Sequence, residues 1–251
     1  MSKALIGILA FLLVFLSTFT SAKEEFDREI SENQIKDAVF EINTSNVRKP
    51  PFRKKKDIEN LFEEIFTKLL PAAEKVCFKY LGEKSDCKWN VKHEDVNIFN
   101  AYASGKNDLT FYSGLARNIY HKEELAFVVA HEIGHHLGNH VRSTKARVII
   151  GGILGGLLGA ATGNAEITAD AAQTGAYLGS RMYSTKQEYE ADLISVEILH
   201  KAGFDLAKAR DIHIRMTGIG ASPVYSGFLS SHPSGPERLI MFDRSINFLE
   251  E

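Results

Sequence analysis

The sequence predicts an α+β fold that is mainly helical and contains one small antiparallel sheet. Long segments with apolar residues at helical spacing flank a short region, residues 89–111, whose pattern is strand-like. The sequence His131-Glu132-Ile133-Gly134-His135 adds a helix on which two histidines share one face, because residues four apart are one turn apart. With 251 residues, of which 44% are hydrophobic and 25% charged, the chain has a globular composition and can bury a core.

Residues 1–22 have the layout of a secretory signal. Lys3 is followed by an apolar run over residues 4–16 and a polar stretch that ends at Ala22, where cleavage is expected. The apolar run is shorter than the roughly 20 residues of a membrane-spanning helix, although an uncleaved anchor stays open as an alternative. We therefore expect an exported protein.

The mature chain divides into an N-terminal extension, residues 23–56, and one domain, residues 57–251. The extension is polar and expected to be loosely held, and its basic cluster at residues 48–56 is interpreted as a solvated linker or helix lead-in rather than a binding patch. A net charge of −2 gives no indication of a nucleic-acid partner.

Helical spacing predicts a helix from about residue 56 to 80, and the two cysteines of the chain lie at and just after its end. An even number of cysteines in an exported protein favours a disulfide between Cys77 and Cys87. A pair of thiolate zinc ligands is the alternative, but their separation is far longer than the usual two to four residues.

The sheet is predicted from three segments. Residues 89–92 alternate, residues 96–103 are strand-like, residues 104–108 supply turn residues, and residues 109–112 form a returning strand. This order predicts antiparallel pairing.

The next helix is expected from about Lys122 to Asn139 and carries the histidine motif. His131 and His135 would lie side by side and could bind one zinc ion, and Glu132 could take a proton from a zinc-bound water. The remaining helices are predicted at about residues 186–201 and 205–216 and from residue 237 onward.

Residues 148–163 are apolar, with a glycine at every fourth position from 151 to 163. Such spacing lets helices approach closely. Sixteen residues span only about 24 Å of helix against a hydrocarbon core of roughly 30 Å, which favours an internal segment packed over the active site. A surface that dips into a membrane or binds unfolded apolar segments is the alternative.

A catalytic zinc usually has three protein ligands, and Glu188 is the candidate for the third. Asp192 lies one helical turn further on and could accept the free ring N–H of a ligating histidine. Glu190 lies about 200° around the helix from Glu188 and is expected to face elsewhere.

Together these motifs resemble the gluzincin metallopeptidase family of the CAAX prenyl endopeptidases, specifically its soluble, exported bacterial members. The resemblance covers roughly residues 57–245 and rests on five motifs: His131-Glu132-x-x-His135, Glu188-x-x-Ala191-Asp192, Asn100 to Ala103 with Leu109 to Leu115, Glu124 to His131, and His232-Pro233 with Arg238. It implies a zincin-like core, one zinc ion per chain and hydrolysis of peptide bonds. The substrate of the prenyl endopeptidases is not implied, because those proteins have many spanning helices and this chain lacks them.

The resemblance also implies that His232 and Arg238 approach the metal. Either could stabilise the oxyanion, or His232 could occupy the open zinc position and hold the enzyme latent; a loop histidine without a role is the alternative. The remaining histidines are assigned no role: His93, His121, His136, His140, His200 and His213.

Zincins commonly bind substrate as an additional strand, and Asn100, Ala101, Tyr102 and Ala103 are the candidate edge. The expected function is a periplasmic zinc endopeptidase that cleaves unfolded or misassembled exported proteins. The alternative is a periplasmic chaperone or assembly factor that binds clients or membrane through residues 148–163. The sequence indicates neither the physiological substrate nor the oligomeric state.

Overall fold

The computed structural model describes residues 28–104, 107–140, 153–154, 156–180, 183–218 and 226–250. The predicted signal segment, residues 1–22, lies outside these residues, as do residues 148–152 and 155 of the glycine-rich segment.

Nine helices and three strands make up the described part of the chain, which is mainly helical, as predicted. The helices are α1 (Glu32–Thr44), α2 (Lys55–Leu81), α3 (Ser113–Arg117), α4 (Lys122–Leu137), α5 (Ala165–Ser180), α6 (Thr185–Lys201), α7 (Leu206–Gly218), α8 (Ser226–Leu229) and α9 (Pro236–Glu250). The strands are β1 (Asn90–Glu94), β2 (Ala101–Ser104) and β3 (Asp108–Tyr112).

The sheet has the order β1-β3-β2 and is mixed, which corrects part of the sequence prediction. β2 and β3 form the expected antiparallel hairpin, whereas β1 pairs with β3 in parallel. The physical reason lies in β3, where Leu109, Thr110 and Phe111 are all buried, so both faces of this strand are covered and it takes the centre. In β1, intermediate and exposed residues alternate, as suits an edge strand.

Helix α4 runs through the middle of the molecule. All but two of its residues are buried, and it packs against α2, α6 and α7. Its apolar residues join those of the sheet and the neighbouring helices in one continuous hydrophobic core. A helix buried on all sides holds its side chains in fixed rotamers, which suits it to carry a rigid site.

The N-terminal extension is not loosely held in its described part, contrary to the expectation. Helix α1 packs on α9, where Ala38 and Ile42 form a small second core with Leu239. Arg53, expected in a solvated linker, donates hydrogen bonds to the carbonyls of Ala116, Ile119 and Tyr120. Arg53 thus holds the extension against residues 116–120, because its guanidinium supplies donors to their backbone carbonyls.

The predicted disulfide is confirmed. Cys77 in the last turns of α2 is bonded to Cys87, three residues before β1, and both are buried. The bond ties the long helix to the edge of the sheet.

Residues 156–160 of the glycine-rich segment are helical and lie against α5. A Cβ atom at Gly159 would lie 2.6 Å from the Cα of Thr168, so glycine permits this close approach. The expectation of an internal segment is wrong for its described residues, since the side chains of Leu157 and Leu158 are 65% and 75% exposed. Within the described residues, no helix combines the length and the apolarity needed to cross a bilayer.

Candidate metal centre

Two buried helices supply the centre of the site. His131 and His135 lie one turn apart on α4, and Glu188 lies in the first turn of α6. Helix α6 begins there because the Ser184 side chain accepts a hydrogen bond from the backbone of Gln187, whose side chain accepts from Ser184 in return. All three candidate side chains are fully buried.

Their polar atoms converge on one point. The Nε2 atoms of His131 and His135 are 3.0 Å apart. The Glu188 carboxylate faces both, with Oε2 at 3.4 Å from His131 Nε2 and Oε1 at 3.2 Å from His135 Nε2.

His232 joins the same cluster from the loop before α9. Its Nδ1 lies 3.3 Å from His131 Nε2 and 3.3 Å from Glu188 Oε1. Its Nε2 lies 3.3 Å from Glu132 Oε1. The ring is fixed by stacking on Phe228 at 4.3 Å, and its backbone N–H donates to the Phe228 carbonyl.

These atoms fit a metal ion of zinc's size. Zinc binds histidine nitrogen and carboxylate oxygen at about 2.0–2.2 Å in a tetrahedron, so two of its ligands are about 3.3 Å apart. The five distances among the atoms of His131, His135, Glu188 and His232 are 3.0–3.4 Å. Both Glu188 oxygens are buried: Arg238 Nη1 lies 2.8 Å from Oε2, while Oε1 faces the nitrogens of His135 and His232. A buried carboxylate that faces several histidine nitrogens suits a zinc ligand.

The carboxylate predicted to orient a histidine lies where that role requires. Asp192 Oδ1 is 2.8 Å from His131 Nδ1, the ring nitrogen that faces away from the cluster. Glu190 faces another direction from Glu188, as expected, and its side chain is 49% exposed.

Arg238 is engaged differently from the sequence expectation. Its Nε and Nη2 donate to the two oxygens of Asp192 at 2.9 and 2.6 Å, and its Nη1 lies 2.8 Å from Glu188 Oε2. Nη1 also donates to the Pro233 carbonyl. With every nitrogen engaged, the guanidinium fixes the two carboxylates.

Charge at the site is arranged around these carboxylates. Burial lowers the pKa of His131, but the facing Asp192 and Glu188 outweigh this and raise it to about 9. Burial lowers the pKa of His135 well below its usual value, and the neighbouring His131 adds to the effect. Burial alone would raise the pKa of Glu188, yet Arg238 and His232 hold it well below the usual range. Metal binding therefore has to displace a proton from the histidine pair.

Several residues near the site were not identified from the sequence. His140 lies 2.9 Å from His135 through their Nδ1 atoms, and the Tyr183 ring stacks on His135 at 3.6 Å. His213 is fully buried between Phe127 and Phe242. The sequence Gly138-Asn139 could have indicated the position of His140. A helix that ends at these residues no longer fixes the direction of the next side chain, so His140 need not follow the helical spacing.

The candidate substrate strand lies at an edge of the sheet formed by the described residues. β2 contains Ala101, Tyr102 and Ala103, with Asn100 just before it, and it contacts α4. The Asn100 carbonyl accepts a hydrogen bond from Tyr112, which fixes the start of the strand.

A buried pair of histidines on a His-Glu-x-x-His helix, completed by a glutamate from a second helix, defines the class of zincin-like metallopeptidases. A model of peptidase family M48 matches residues 63–244, more than half of the chain. The chain therefore belongs to peptidase family M48 and is a metallopeptidase, a hydrolase that acts on peptide bonds. No curated protein matches it.

Proposed function

We propose that the protein is a zinc endopeptidase in which His131, His135 and Glu188 bind the metal. The observation that carries this is the set of distances of 3.0–3.4 Å among the buried ligand atoms of the two histidines and Glu188. Their mixed nitrogen and oxygen donors suit zinc, the usual metal of such sites.

When bound, zinc supplies a Lewis acid that lowers the pKa of water and polarises the scissile carbonyl. Glu132 follows the first ligand on α4 and is buried beside the cluster. Its carboxylate takes a proton from the attacking water and delivers it to the leaving amine nitrogen. Asp192 holds the His131 ring, and Arg238 holds Asp192 and Glu188, so that neither carboxylate reorganises during the reaction.

His232 acts as a latch in this conformation. Its Nδ1 occupies the fourth corner of the ligand set, and its Nε2 lies against the Glu132 carboxylate. Water and substrate need that corner, so His232 has to leave before a peptide is cleaved. Because His232 follows the short helix α8 in a loop rich in glycine, serine and proline, the movement would separate its ring from Phe228 but leave α4 and α6 in place.

The proposed substrates are unfolded or misassembled exported proteins in the periplasm, as for the exported bacterial members of the prenyl endopeptidase branch. The position of β2 at an edge of the sheet formed by the described residues supports this, because backbone hydrogen bonds along an edge recognise an extended chain whatever its sequence. Asn100 to Ala103 would pair with it. The signal-like layout of residues 1–22 supports export.

Hydrolysis of unfolded casein by the zinc-loaded mature chain tests the proposal. Glu132→Gln should lower the rate by about 10²–10⁴-fold while zinc content stays unchanged, because the base is lost and the ligands are kept. Glu123→Gln, in the first turn of the same helix, is the control and should retain activity. A folded, zinc-loaded wild-type protein that cleaves no unfolded chain would contradict the proposal.

His232→Ala separates the latch from a catalytic role. If His232 blocks the metal, its removal opens the fourth position and casein hydrolysis increases. A loss of activity with normal zinc content would instead assign His232 to stabilisation of the oxyanion.

The chaperone alternative is weaker, because family membership and the ligand cluster both support hydrolysis. The apolar face formed by Ile153, Leu154, Leu157 and Leu158 is nevertheless exposed. Contact of this face with client chains or lipid is proposed as an accessory property. Flotation of the mature protein with liposomes tests the lipid arm, and failure to float removes it.

A further inference from the structure

The second metal ligand, His135, has a partner of its own on the side away from the cluster. Its Nδ1 lies 2.9 Å from Nδ1 of His140, whose side chain is almost completely buried. The other ring nitrogen of His140, Nε2, lies 3.2 Å from Glu190 Oε2 at the surface. Three side chains thus form a line from the metal site to solvent.

The end of α4 brings His140 into this position. Gly138 ends the helix, and Asn139 has a φ of 57°, a left-handed conformation that turns the chain back. A Cβ atom at residue 138 would lie 2.5 Å from Cε1 and Nε2 of the His140 ring. The glycine is therefore needed for the ring to lie over the helix end.

One arrangement of protons satisfies the contacts His135–His140 and His140–Glu190 once His135 binds a metal through Nε2. Its Nδ1 must then carry the hydrogen, which it donates to His140 Nδ1. His140 consequently carries its own hydrogen on Nε2 and donates it to the Glu190 carboxylate. Both histidines are neutral in this arrangement.

We propose that His140, supported by Glu190, is a positioning residue that fixes the tautomer and ring orientation of His135. The inference rests on the proposed metal site. It gives each histidine ligand a separate partner, anionic Asp192 for His131 and neutral His140 for His135. Such partners typically contribute 10–100-fold to metal affinity.

The test is the zinc dissociation constant of the full mature chain, measured by competition with a fluorescent chelator. His140→Leu should weaken zinc binding about 10–100-fold, because the His135 N–H loses its acceptor. His140→Asn keeps an oxygen near the Nδ1 position and should recover most of the affinity. Gly138→Ala, which displaces the ring without removing it, should give an intermediate loss, and His200→Ala on the exposed face of α6 is the control.

Thermal unfolding of the metal-free variants distinguishes positioning from general damage. We expect the metal-free His140→Leu and His140→Asn variants to unfold at similar temperatures, although only His140→Leu binds zinc much more weakly. Wild-type affinity in both His140→Leu and Gly138→Ala would overturn the positioning role and leave the metal site intact. A folded wild-type protein that binds no zinc would overturn the proposed function and this inference together.

Discussion

Arg238 shows how a single residue acquires its role from the fold. Its guanidinium is buried, and its charge is offset by Asp192 and Glu188, which are themselves fully buried. Each of these charges would be costly alone, since burial removes their hydration. Together the three side chains form a fixed unit beside His131 and His135. Their pKa values shift in opposite directions, downward for the two carboxyls and upward for the guanidinium.

We expect Arg238→Met to destabilise the metal-free protein by about 3–5 kcal/mol, because two buried carboxylates lose their cation. Arg210→Met is the matched control: Arg210 pairs with Glu41 and Asp243, which are about 40% exposed, so its loss should cost about 1 kcal/mol or less. Urea unfolding of both variants without metal measures the difference. Loss of peptidase activity at unchanged stability would mean that Arg238 contacts the reacting oxyanion instead.

At the scale of elements, the site depends on the close packing of α4 and α6. Gly134 lies between the two histidines, and a Cβ atom there would lie 2.6 Å from the Ala191 carbonyl oxygen. Glycine at this position lets the helices approach until Glu188 reaches both imidazoles. Gly134, the second variable residue of the His-Glu-x-x-His motif, thus sets the distance from Glu188 to the two histidines.

Gly134→Ala should therefore destabilise the protein by about 1–3 kcal/mol, the typical cost of overpacking a core, although alanine normally favours a helix. Zinc affinity should fall in parallel as Glu188 moves outward. Gly218→Ala at the end of α7 is the control, because its Cβ would have its nearest neighbour at 3.9 Å. Equal stability and zinc affinity in the two variants would show that α4 and α6 separate without cost.

At the scale of the whole molecule, one hydrophobic core joins the sheet and seven helices, α2, α3, α4, α6, α7, α8 and α9. His213 lies inside it between two phenylalanine rings, and neither of its ring nitrogens has a hydrogen-bond partner among the described residues. Burial lowers its pKa to about 3. The folded protein consequently keeps this histidine neutral at pH values where the unfolded chain would protonate it.

The sign of the resulting pH dependence follows from proton counting. Below the ordinary histidine pKa of about 6.5, the unfolded state binds a proton that the folded state excludes. The stabilisation is complete above pH 6.5 and falls by up to about 1.4 kcal/mol per pH unit toward pH 3. His213→Leu should make the unfolding free energy depend less on pH between 6 and 4.5, by up to about 1.4 kcal/mol per pH unit, which corresponds to one proton. His200→Ala, at an exposed position, should leave this dependence unchanged. An unchanged slope in His213→Leu would show that the residue is hydrated.

The sequence by itself determined local parts of this protein: helices α2, α4, α6, α7 and α9, the pairing of Cys77 with Cys87, and the shared faces of His131 with His135 and of Glu188 with Asp192. The helices and the shared faces follow from helical periodicity, which depends only on neighbouring residues, and the cysteine pairing follows from the even number of cysteines. Only the tertiary structure decided the contacts made where a helix ends or a loop returns. In the folded protein Arg238 contacts two carboxylates, His232 joins the ligand cluster, His140 contacts His135, and β1 pairs in parallel with β3. Each of these depends on residues distant in sequence or on a backbone turn that periodicity does not specify.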